Sequence, residues 1–203
     1  MNSTEQFVHH MNLMKEHHKS GVTHSYPMPL VLMIGSNLSA NEEPMSQDTK
    51  EVIKNTKTAI SNFHKDQAAG VEEAIMSLEK SKSSGESPDN MTKEFLKKME
   101  ELRKKAKDES NTTIDKMYNK LIEKAKKHPN QQKHILSATE KLGAFITNIL
   151  LDIQKFFVEI GNKIVEWFNS VVNWFKKAGE EISRWVSESA RSIENWFVTT
   201  FSC

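Results

Sequence analysis

Five histidines crowd the first part of the chain: His9, His10, His17, His18 and His24. Imidazoles ligate metals, move protons or titrate near pH 6. On a helix His10 and His17 share a face two turns apart, too far to chelate one ion. No acidic or Cys cluster joins them, so a metal site is not expected. If several gather, the property they would confer is a response to mild acid.

Other chemistry is sparse. Cys203 is the sole cysteine, which excludes an internal disulfide and argues against a Cys/His nucleophile. The closing Phe-Ser-Cys lacks the spacing of a prenylation box. No phosphate-cradling Gly loop, GxSxG, HExxH or paired-cysteine motif is present. Acids and lysines alternate as they do on solvated helix faces. The expectation is a protein that is not an enzyme, with no catalytic residue, cofactor or metal.

Charge excludes another class. Net charge is +1, and no segment is basic enough for a nucleic-acid footprint. Arg103, Arg184 and Arg191 are the only arginines. The uncharged apolar stretch 142–151 falls short of the ~20 residues that span a bilayer. No basic region followed by an apolar core and a cleavage site opens the chain. The expected location is cytoplasmic, or secreted without a cleaved signal peptide, with peripheral membrane attachment as an option.

The strongest pattern is apolar and lies in the tail, where the sequence repeats every eleven residues from 149. The first position is Ile149, Ile160, Val171, Ile182 and Ile193; the fifth is Ile153, Ile164, Phe175, Val186 and Phe197. Trp174, Trp185 and Trp196 share the fourth position, Phe156 and Trp167 the eighth, and Phe157, Phe168 and Phe201 the ninth. Eleven residues in three turns is about 3.67 per turn, so these positions form one apolar arc roughly 130° wide. The arc can pack on helices, lie in a membrane interface or fill a groove of another protein. The opposite face mixes Lys and Arg with Glu and is nearly neutral, so lipid binding would rest on apolar area and not on charge.

In its periodicity, 149–201 resembles exchangeable lipid-surface proteins, which use eleven-residue amphipathic repeats. It also resembles phage tape-measure proteins, whose eleven-residue repeats carry regular Trp and Phe. The first resemblance implies reversible lipid binding and the second implies structural assembly.

The elements that must position these residues are helices. Gly (7) and Pro (5) are too scarce for the many turns of a sheet protein. Residues 1–45 read as a flexible, largely disordered N-terminal arm, with an apolar run Leu30-Val31-Leu32-Met33-Ile34 that could tuck into a groove. Residues 46–136 read as a charged helical hairpin. Its first helix, 46–80, carries Ile53, Ile60, Phe63, Val71, Ala74, Ile75 and Leu78 at helical spacing. Its second starts at Pro88 with Ser87 as N-cap and stops before Pro129. Its stripe is Phe95, Met99, Leu102, Ala106, Ile114, Met117, Leu121 and Ala125. Glu94/Lys98 and Glu100/Lys104 are expected surface pairs.

Residues 137–203 read as one long amphipathic helix, starting near 131 and reaching about 201, with Gly143, Gly161 and Gly179 as candidate hinges. The hairpin is too short to cover it all, so residues beyond about 175 are expected to lack an intramolecular partner. The fold class is therefore all-α: an elongated hairpin plus a long C-terminal helix, bundle-like, behind a disordered arm.

The expected function is binding of a lipid surface, or self-association, through the aromatic face, with membrane perturbation as an outcome. The residues expected to carry it are Phe156, Trp167, Phe168, Trp174, Phe175, Trp185, Trp196 and Phe197. The expected partners are a lipid surface or a helical protein, including further copies in a homo-oligomer or coiled coil. A structural assembly protein, and an adaptor or secreted effector gripping one partner, are the alternatives.

Overall fold

The computed structural model describes residues 3–21, 45–170 and 173–201. Of these 94% are helical and none is in a strand, as the all-α reading expects. Among them five α-helices follow in order: α1 (Ser3–Lys19), α2 (Gln47–Ser83), α3 (Pro88–Lys127), α4 (Gln132–Ser170) and α5 (Trp174–Phe201). A 3-10 turn, Pro129–Gln131, joins α3 to α4.

Local chemistry sets most of these boundaries. Ser46 caps α2: the Thr49 amide donates to its Oγ at 3.3 Å and the Lys50 amide to its carbonyl at 3.1 Å. Ser87 caps α3 in the same way, receiving the amides of Asn90 at 3.4 Å and Met91 at 3.1 Å. Gly85, in the turn before it, has φ +79°, a left-handed conformation open to a residue without Cβ. α3 ends at Lys127, before His128-Pro129, because proline disfavours helix in the residue preceding it.

The chain forms two compact units, each a bundle of four helical segments. Unit 1 is Met1–Ala59 with Ser110–Ile149, and unit 2 is Ile60–Glu109 with Leu150–Cys203. α1 and the near parts of α2, α3 and α4 build the first. The remaining parts of those three helices and α5 build the second.

Unit 1 departs from the expected arm, because Ser3–Lys19 are helical. Phe7, Met11, Met14 and His18 are buried; their spacing of four, three and four residues puts them on one seam. Glu5 in the first turn and Lys19 in the last suit the helix dipole. The C-terminal turn of α1 is then pinned. His18 Nδ1 and the Tyr118 hydroxyl are 2.7 Å apart, the Thr147 hydroxyl donates to the His18 carbonyl at 3.2 Å, and the Lys19 ammonium donates to Asp115 at 3.0 and 3.1 Å. Gly143 makes room for this: a Cβ there would overlap the His18 ring. Gly143 therefore serves close approach and not bending, and α4 runs unbroken through it. The apolar run 30–34 and His24 lie outside the described residues.

In unit 2 the expected stripes are buried, from Ile60, Phe63 and Val71 to Leu78 on α2, with Phe95, Met99 and Ala106 on α3. Leu102 is only half-buried and reaches over Gly70. The expected surface pairs are replaced by others: Lys98 donates to Ser77 at 2.5 Å, and Glu100 meets Arg103 at 2.8 Å.

The single long tail helix is also corrected. α4 stops at Ser170 and α5 begins at Trp174. The interruption between Ser170 and Trp174 lies at none of the expected glycine hinges. Ser and Asn, which flank it at 170 and 173, are weak helix formers. The Ser170 hydroxyl bonds back to the Glu166 carbonyl at 2.6 Å, a contact that bends helices. Asn173 accepts the first bond of α5, from the Lys177 amide at 3.2 Å. On one straight helix residues 156 and 185 would lie roughly 44 Å apart; their rings are 3.9 Å apart, so within unit 2 the chain doubles back.

Candidate functional site

The eleven-residue repeat keeps its meaning across the break. Its first-position residues Ile149, Ile160, Ile182 and Ile193 are all buried, because the period matches the helix closely enough to return them to one line. All eight expected aromatic anchors belong to unit 2, and the doubling back gathers them into three groups.

The first group surrounds the break. Trp174 meets Phe168 edge-on at 5.5 Å and Phe175 at 5.8 Å. The Lys82 ammonium sits 4.8 Å above the Phe168 ring and that of Lys177 4.4 Å above Trp167, a favourable placement of cation on π-face. The second group lies midway along α5. Trp185 stacks on Phe156 at 3.9 Å with ring planes 3° apart, and meets the His64 ring at 3.8 Å. The third is at the far end of α5, where Trp196, Phe197 and Phe201 contact one another at 5.0 to 6.0 Å.

Exposure sorts the anchors. Phe156, Trp167, Phe168, Trp174 and Phe197 are buried, Trp185 and Trp196 half-buried, and Phe175 is 38% exposed. The expectation that residues beyond about 175 lack intramolecular partners therefore fails: Ala178, Ile182, Ile193 and Phe197 are buried too. The packing is nonetheless uneven. Between Ile182 and Ile193 no residue of α5 is buried; Trp185, Val186 and Ser189 are half-buried and the rest exposed. Over the twelve residues 153–164 α4 buries Ile153, Phe156, Phe157, Ile160 and Ile164, whereas the twelve residues 182–193 of α5 bury only Ile182 and Ile193.

Beside this thin stretch lies a groove of about 180 Å³, with Phe156, Ile160 and Trp185 among its walls and Lys163, Glu181 and Arg184 on its rim. Lys163 bonds Glu181 at 3.4 Å, and Arg184 also pairs with Glu181. Burial pulls the Glu181 carboxyl up, but Arg184 and Lys163 outweigh it and hold the group below its usual range. Burial raises Asp152, partly offset by Lys155.

Sequence reasoning does not mark His64 as a site residue. It is 3% exposed, its Nε2 is buried without a hydrogen-bond partner, and burial pushes its pKa down to about 4. The available signal is its register: Ile60, His64, Gln67 and Val71 repeat the four-three-four spacing of a buried seam. Among the described residues no three of His, Cys, Asp or Glu converge as a metal site would require. Among them, too, no helix is long and apolar enough to cross a membrane.

What the arrangement can do is present or conceal aromatic area. No protein-family model, no curated protein and no solved structure matches the chain.

Proposed function

We propose that this is a non-enzymatic helical protein that binds lipid surfaces through the aromatic face of α5 and the part of α4 behind it. The observation that carries this reading is the uneven packing of α5. Its apolar residues follow the eleven-residue period, but between Ile182 and Ile193 the large apolar ones are Trp185 and Val186, and unit 2 leaves both half-buried. With half-buried Trp196 and exposed Phe175 they make up aromatic and apolar area of α5 that unit 2 does not cover.

Magnitudes are compatible with exchange. Full burial of one large apolar side chain contributes ~1.5–3 kcal/mol. A bilayer interface covering Trp174, Ile182, Trp185, Ile193, Trp196 and Phe197 would offset the packing lost when α5 leaves. The polar side of α5 carries Lys176, Lys177, Arg184 and Arg191 against Glu180, Glu181, Glu188 and Glu194. With charges balanced, neutral lipid should serve as well as anionic lipid.

A second reading, self-association through the same face, is favoured by Phe175, which remains exposed with α5 docked. One experiment separates the two. All four tryptophans lie within 167–196, so emission titrated with phosphatidylcholine vesicles reports on this region alone. A blue shift from a monomer supports lipid binding. A multimeric light-scattering mass without lipid response supports assembly. Trp185→Glu should abolish whichever occurs while far-UV helicity stays; if the variant changes neither property, both readings fall.

A further inference from the structure

The stack at Trp185 joins a titratable ring to the most thinly packed stretch of α5. His64 comes from α2, and with Phe156 of α4 it provides the two ring contacts of Trp185. Between Ile182 and Ile193 Trp185, Val186 and Ser189 are half-buried and the rest are exposed. Whatever loosens this stack frees the middle of the helix. Resting on the lipid-surface reading above, we propose that His64 is an acid-operated latch: protonation of its imidazole releases Trp185, and α5 with it, for transfer to a lipid surface.

The chemistry follows from the surroundings. A neutral imidazole needs one donor and one acceptor satisfied, whereas an imidazolium donates from both nitrogens. Nε2 of His64 is buried with nothing to accept from it. An imidazolium would gain some attraction from the indole face, but it would hold a buried charge with an unmet N–H. Burial is the cause of the low pKa. The groove beside Trp185 is lined by the charged groups Glu159 and Lys163 of α4 and Glu181, Arg184 and Glu188 of α5. On α3 Glu109 is engaged by Gln67 at 2.6 Å.

The direction and window are fixed by the two states. Released and hydrated, His64 takes up its proton near pH 6.5; docked, it does so only near pH 4. Release is therefore favoured as pH falls from 6.5, by about 30-fold between pH 7.5 and 5.0. Asp152 acts the opposite way, since a carboxyl raised by burial gains folded stability as pH falls. Glu181, held low, loses its contribution only below the ordinary carboxylate range, outside this window.

The test uses the full chain and phosphatidylcholine vesicles, whose headgroup charge is constant across this range. Tryptophan emission is followed from pH 7.5 to 5.0, without and with vesicles. For the wild type we expect a red shift without lipid and vesicle affinity about 30-fold higher at pH 5.0. His64→Phe, which keeps a ring against Trp185 but cannot ionise, should bind at pH 5.0 as weakly as the wild type does at pH 7.5. If far-UV spectra show that this variant is misfolded, His64→Gln is read in its place. An unaltered pH dependence in the folded variant overturns the latch. Equal wild-type affinity at both pH values also overturns it and leaves lipid binding standing. A pH-dependent, His64-dependent red shift without vesicle binding at any pH supports the latch and overturns the lipid reading instead.

Discussion

Both units complete their bundles with a terminal helix, α1 in unit 1 and α5 in unit 2, and the two helices are attached in different ways. α1 buries a residue at nearly every turn, Phe7, Met11, Met14 and His18, and its last turn is bonded to Tyr118, Thr147 and Asp115. α5 is longer by eleven residues, yet its buried residues leave a full three-turn gap, bridged by a ring stack and exposed ion pairs. Surface ion pairs contribute little, ~0–1 kcal/mol. The same four-segment architecture therefore holds one helix by an unbroken buried seam and another by a seam with a gap in it. Spacing of buried residues decides which, more than overall apolarity.

The largest effect is expected at α1. Phe7→Ala should lower the stability of the chain by about 3–5 kcal/mol in chemical denaturation, because it empties a fully buried site. Native tryptophan emission should stay unchanged, since no tryptophan lies in unit 1. A shifted native emission would show that the two terminal helices are not independently held.

Acid acts on both attachments, and the α1 side is tested at His18. Burial, with a smaller contribution from His17, pushes the His18 pKa down to about 4. Its folded value lies below the unfolded one near 6.5, so its contribution is fully present above pH 6.5 and is lost as pH falls toward 4. The loss should be roughly 2–3 kcal/mol by pH 4.5. Denaturation of His18→Gln at pH 7.5 and 4.5 should show that much less acid sensitivity than the wild type; equal sensitivity would mean that His18 does not set the response of unit 1.

The glycines give the smallest test and opposite signs. Gly143→Ala should destabilise by about 1–3 kcal/mol, because its Cβ would overlap the His18 ring beneath Tyr118. Gly179→Ala, on α5 with open space around it, should stabilise by about 0.5–1 kcal/mol through helix propensity. Thermal midpoints moving in the same direction would refute the contrast between a crowded and a loosely covered helix.

Much of this is legible in the residues themselves. The α3 stripe and both of its ends follow from Ser87, Pro88 and Pro129, because capping and proline effects act over a few residues. The first-position residues of the repeat are buried where described, because periodicity specifies a face. α1 escapes a reading by composition because its seam, Phe7, Met11, Met14 and His18, lies among polar residues and histidines that mask a spacing that is present. The end of α4 at Ser170 escapes it because no proline or glycine marks the place.

The all-α class, the capped hairpin and the amphipathic period of the tail are written in the chain, since all are properties of neighbours along a helix. That the tail doubles back, that Trp185 meets His64 and Phe156, and that Gly143 lies under His18 emerge only when the helices pack. Those pairings join residues far apart in the chain. They depend on which apolar faces can cover each other at least cost, a choice that local spacing does not encode.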